Sequence, residues 1–101
     1  MAVAFVQEFD IEPGDRSTTN YDKIRALLNP DVDKPAGVIV HTAGFTGNVF
    51  RIFDVWESEE DFKRFESERL MPAVGKVMAE SADAAPPDRQ YIYELHDVVR
   101  A

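Results

Sequence analysis

Cysteine is absent from the chain, which removes disulfides, thiolate metal sites, iron–sulfur ligation and cysteine nucleophiles together. A reducing, cytoplasmic location fits that absence and is the expectation. Basic residues are scarce beside acidic ones, 11 against 19, leaving a net charge of −8. No basic cluster interrupts the excess, so a polyphosphate backbone would be repelled and nucleic acid is not an expected partner. No stretch approaches the ~20 apolar residues of a membrane-spanning helix, so no membrane association is expected. The apolar start MAVAFVQEFD carries no basic n-region and turns acidic at Glu8, which does not read as a secretory leader.

Other chemistry is missing too. The two histidines, His41 and His96, give no HExxH-type ligand spacing, so no metal site is expected. AGFTGN has two glycines three apart in a hairpin rather than at a strand-to-helix turn, which is not a phosphate cradle. No GxSxG elbow occurs. The acidic run Glu57, Glu59, Glu60, Asp61 falls at a helix start, where it caps and solvates.

What is present describes a folded protein: 45% hydrophobic, 30% charged and 11% aromatic residues, unlike a disordered chain. With 101 residues there is room for one hydrophobic core, so residues 1–101 are assigned to a single domain.

Ala2 to Asp10 alternates apolar and polar residues before Pro13-Gly14, which predicts a strand and a turn. Thr18, Thr19 and Asn20 offer N-cap oxygens; Tyr21, Ile24, Leu27 and Leu28 then recur at helical spacing until Asn29-Pro30. Gly37 to Ala43 and Asn48 to Trp56 flank GFTG as a hairpin of two antiparallel strands. Ser58 with Glu59, Glu60 and Asp61 opens a second helix. Pro72 should break or kink it, with a further segment running to about Ser81. SADAAPPD, residues 81 to 88, is a loop by composition. Gln90 to Val99 alternates again as a fourth strand. The order β-α-β-β-α-β is the ferredoxin-like split βαβ arrangement of the α+β class, a four-stranded antiparallel sheet with both helices on one face.

The strands are apolar at both parities, so the second sheet face also needs a cover. A second copy of the sheet is the simplest one, giving a homodimer with an enclosed space between sheets, a dimeric α+β barrel. An even hairpin loop places His41, Ile39 and Ala43 with Phe50, Ile52, Asp54 and Trp56 on one face. That group is assigned to the partner-facing side, and Val38, Val40, Val49, Phe53 and Val55 to the helix side. His41 and Asp54 would then lie diagonally on adjacent strands, within reach of an acid/base pair. The competing reading is a structural histidine in a buried polar network or across the dimer. Tyr21, Tyr91 and Tyr93 read as core or interface.

The run Asp54-Val55-Trp56-Glu57-Ser58-Glu59-Glu60-Asp61-Phe62, leaving the third strand for the second helix, resembles the corresponding segment of the antibiotic biosynthesis monooxygenase family and its dimeric α+β barrel relatives. The element order agrees over nearly the whole chain. In the haem-degrading branch the tryptophan before this helix start and a strand-one amide line the pocket, so the resemblance implies Trp56 and Gln7 as pocket residues. That branch also carries a histidine in the second helix; Phe62 to Ala79 has none, so haem ligation is not expected. Cofactorless members act on polycyclic phenols, deprotonating the substrate so that its carbanion meets oxygen.

The expected function is therefore a cofactor-independent monooxygenase or isomerase acting on a small aromatic or polyketide-like ligand. His41 is the base, Asp54 orients it, and Gln7, Trp56, Phe50, Phe5 and Ile52 bind the ligand, with no cofactor. Two alternatives stand beside it: a non-catalytic module that binds a small ligand or serves as a structural dimer, and an assembly module that uses only its surface.

Overall fold

A computed structural model describes residues 1–81 and 83–101. The chain runs β1 (Val3–Asp10), α1 (Thr19–Leu28), β2 (Val38–Thr46), β3 (Val49–Trp56), α2 (Glu59–Phe65), a π turn (Glu66–Leu70), α3 (Met71–Glu80) and β4 (Arg89–Glu94). The strands form one antiparallel sheet in the order β2-β3-β1-β4. This is the ferredoxin-like arrangement expected from the order of elements. Within the expected loop 81 to 88, residue 82 lies outside the described residues.

Local chemistry accounts for the boundaries. Helix α1 ends where Asn29 adopts a left-handed φ of 47° and its N–H bonds to the Arg25 carbonyl, ahead of Pro30. Ser58 caps α2 by accepting from the Asp61 N–H at 3.1 Å, and three acids in that first turn complement the helix dipole. Pro72 does not end the second helix. Its ring would press on the carbonyl four residues back, and the helix instead widens into the π turn just before it, where the Met71 N–H reaches the Glu66 carbonyl. The hairpin closes through Gly47 and Asn48, with Thr46 opposite Val49 and Gly47 at φ 56°. Strand β4 stops at Glu94, short of the expected Val99, because Glu94 already faces Val3, the first residue of β1. After the Leu95 N–H bonds the Ala2 carbonyl there is no partner strand left.

The register divides the sheet into two faces. Val3, Phe5, Gln7 and Phe9 lie opposite Trp56, Asp54, Ile52 and Phe50, and His41, Ala43 and Phe45 continue that face onto β2. The grouping by parity agrees with this register, but the direction of the group is reversed. Phe5 stacks on Phe62 of α2 at 4.1 Å between ring centroids, and Trp56 packs on Phe62 and Phe65. This face therefore lies under the helices and not toward a partner. Only Glu57 and Ser58 separate β3 from α2, so the chain turns over the face that carries Trp56. A bulge at Ile39 moves Val38 to the same face, opposite Trp56, while Val40 pairs with Val55 on the other. The outward face holds Ala4, Val6, Val40, Phe53, Val55, Tyr91 and Tyr93 instead of packing against helices.

Candidate functional site

Asp54 and His41 stand directly opposite each other on β3 and β2, not diagonally, because the hairpin turn centres one residue later than GFTG suggests. Their side chains meet at 2.5 Å, His41 Nδ1 to Asp54 Oδ1. The Asp54 side chain is 8% exposed and that of His41 39%. An ionised carboxylate only accepts, so with Asp54 in that form the bond runs from His41 Nδ1–H to Asp54. That leaves Nε2 as an acceptor, and the Tyr21 hydroxyl from α1 lies 2.7 Å from it. The Tyr21 ring is parallel to the imidazole within 5° and meets Phe50 edge-on at 5.5 Å. Asp54, His41 and Tyr21 thus form a continuous hydrogen-bonded line from the sheet to a helix.

Tyr21 is the residue the sequence reasoning missed. It sits at the first turn of a helix with no buried residue, and nothing in its spacing distinguishes it from Ile24 or Leu27. The signal lies in topology: α1 packs along α3 and the π turn, so only a long side chain spans from α1 to β2. Burial holds the Tyr21 hydroxyl above the usual phenol range, and Asp54 and Asp22 push it the same way against the pull of Arg25. The group rests as a neutral phenol.

The other expected ligand residues divide in two. Phe5 and Trp56 are 3% and 1% exposed and belong to the core under α2, and the indole N–H of Trp56 has no hydrogen-bond partner among the described residues. Gln7, Phe50 and Ile52 are only partly buried. They form a strip of sheet beside the line, with Ile52 opposite both Gln7 and Ala43. Gln7 donates to Gln90 of β4 at 2.9 Å, which fixes its amide on that strip. Arg16 lies 4.7 Å over the Phe45 ring at the hairpin end.

Two shallow depressions lie elsewhere. One of about 310 Å³, between α1 and α3, is lined by Leu27, Leu28, Asp33, Arg69, Pro72, Ala73 and Lys76. The Arg69 guanidinium there is already bonded to the Leu28 and Asp33 carbonyls. The other, of about 200 Å³, lies at the hairpin around Thr42, Arg51 and Phe53. Neither is lined by a histidine, whereas the Asp54–His41–Tyr21 line joins a carboxylate, an imidazole and a phenol.

No family model matches the chain, and no curated protein matches it either. Solved structures do. SnoaB, a cofactor-independent oxygenase from Streptomyces nogalater, is similar at TM-score 0.64 and 15% identity, over 97% of this chain and 96% of that one. A putative antibiotic biosynthesis monooxygenase from Chloroflexus aurantiacus is similar at 0.60 and 18% identity, over 98% and 97%. A protein of unknown function from Nitrosomonas europaea is similar at 0.67 and 19% identity, over 99% and 94%. The likeness spans whole chains and agrees with the resemblance carried by the segment Asp54 to Phe62. The chain has the ferredoxin-like α+β fold of the antibiotic biosynthesis monooxygenase-like proteins.

Proposed function

We propose that this protein is a cofactor-independent monooxygenase acting on a small aromatic or polyketide-like molecule that carries an acidic hydrogen. The observation that carries the reading is the direct bond between His41 and the buried Asp54 on the sheet face beneath the helices. A carboxylate on Nδ1 fixes the tautomer and stabilises the imidazolium that forms when the ring accepts a proton. Loss of that proton from a hydroxyanthrone yields a carbanion that reacts with dioxygen. One oxygen atom enters the product as the quinone carbonyl and the other leaves as water, so dioxygen is the sole oxidant. Gln7, Phe50 and Ile52 bind the flat ring system on the open strip, with Phe5 and Trp56 as its rigid backing. The fold shared with SnoaB supports the reaction class.

The working unit is a homodimer formed through the outward sheet face. Tyr91, Tyr93 and Val40 on that face are 47%, 44% and 43% exposed, an apolar surface of the kind a second sheet covers.

One observation favours a second reading: both ring nitrogens of His41 already have protein partners, as they would in a non-catalytic, structural network. Aerobic conversion of a hydroxyanthrone to its quinone, followed by absorbance and oxygen uptake, separates the two. Catalysis predicts that His41→Ala and Asp54→Asn slow turnover on the order of 10²-fold or more. Unchanged turnover in both variants would leave the structural reading standing.

A further inference from the structure

Because His41 has no nitrogen left for a ligand, the atom that can meet one is the hydroxyl oxygen of Tyr21. In the tautomer that places the Nδ1 proton on the Asp54 side, this oxygen donates to Nε2, and of its two lone pairs one can serve the neighbouring Arg25 and the other can accept from a ligand. Tyr21 is only partly buried and its ring rests against Phe50, beside the open strip. We propose that Tyr21 is the residue that touches the substrate: it accepts a proton from a phenolic or enolic O–H while passing its own proton to His41. The proposal rests on the reading of His41 as the ultimate base and names the substrate class as an acid with its proton on oxygen.

The transfer balances. The substrate O–H bond breaks and leaves its electron pair on the substrate oxygen, and a new O–H bond forms on Tyr21. The original Tyr21 O–H bond breaks as Nε2–H forms. Tyr21 is neutral before and after, the substrate has become a phenolate or enolate, and His41 has become an imidazolium bonded to Asp54. The charged groups around the phenol are consistent with this order. Asp22 and Arg25 lie on its own helix and Asp54 and His41 on the facing strands. Burial, with Asp54 and Asp22, outweighs the opposing pull of Arg25 and keeps Tyr21 protonated at rest, so it relays a proton and does not stand as a phenolate.

The test uses 4-nitro-1-naphthol, whose anion absorbs in the visible, bound to the full-length protein across a pH series. Wild type is expected to ionise the bound probe at a pH about one unit below that of the free probe, a tenfold gain. Tyr21→Phe should bind the neutral probe within about threefold of wild type and lose that gain, since only one hydroxyl is removed. If Tyr21→Phe ionises the probe as wild type does while His41→Ala does not, His41 acts directly and the relay is overturned alone. If both variants match wild type, or wild type binds no probe, the reading of the site as a base falls with it. A measurement on unmodified protein stands apart from the variants: the imidazole ¹⁵N spectrum should show His41 protonated on Nδ1 with Nε2 bare. A proton resting on Nε2 would overturn the relay.

Discussion

Gly37 and Asp61 approach so closely that a Cβ on the glycine would lie 2.5 Å from Asp61 Oδ2. Gly37 also has a φ of +88°, in the region that side-chain-bearing residues rarely adopt. Its carbonyl accepts from the Glu57 N–H at 2.8 Å, tying the start of β2 to the segment where β3 turns into α2. Gly37→Ala should therefore destabilise the protein by about 1–3 kcal/mol, from the backbone conformation and the displaced helix start together. Urea unfolding followed by circular dichroism measures it, and a midpoint equal to wild type would show that the turn yields freely.

Phe62 is 2% exposed and fills the space between Phe5 and Trp56. Phe62→Ala removes a ring from the centre of the core and should cost about 3–5 kcal/mol. Thermal unfolding is the check, and a loss below ~1 kcal/mol would mean that the helix settles onto the sheet without it.

Glu8 accepts from Arg89 at 2.7 Å and from Arg51 at 2.8 Å. The bond to Arg89, then that to Arg51, holds its carboxyl below the usual range, and Arg89 does the same to Asp10. A carboxyl depressed in the folded state contributes stability that is fully present above its unfolded pKa, near 4.3, and disappears as pH falls through the folded value. Stability should fall between about pH 5 and pH 2, and Glu8→Gln should flatten that slope while lowering stability at pH 7. Denaturant midpoints across the series would expose an error if the Glu8→Gln slope matched wild type.

The outward face tests the dimer. Light scattering after size exclusion should give wild type about twice the 11.4 kDa of one chain. Tyr93→Asp places a charge on that face and should yield monomers that keep their circular dichroism spectrum. Wild type eluting as an 11.4 kDa species at micromolar concentration would rule out this interface.

Much of the fold was legible because its signals are local. Ser58 and the acids after it mark a helix start, Asn29-Pro30 a helix stop, and alternation in β1 a strand. The antiparallel hairpin, and with it the grouping of His41, Ile52 and Asp54, follows from a turn whose length is even. Three things were not legible. Which face lies under the helices could not be read from hydrophobicity, since Phe5 and Trp56 on one side are matched by Val6 and Phe53 on the other. The bulge at Ile39 leaves no mark in the residue types. The end of β4 depends on where β1 begins, 91 positions earlier in the register pair Val3 and Glu94.

The amino-acid order by itself determined the elements, their sequence along the chain and the partition of each strand into two sets of side chains. Those depend on caps, turns and a period of two, interactions that act within a few residues. Only the tertiary structure decided that the His41 set lies beneath α2, that the carboxylate meets the imidazole head-on, and that Tyr21 completes the line. Each of these joins groups on different elements, 13 residues apart for His41 and Asp54 and 20 for Tyr21 and His41. Their meeting is set by how the strand leads into the helix above it, which no local pattern encodes.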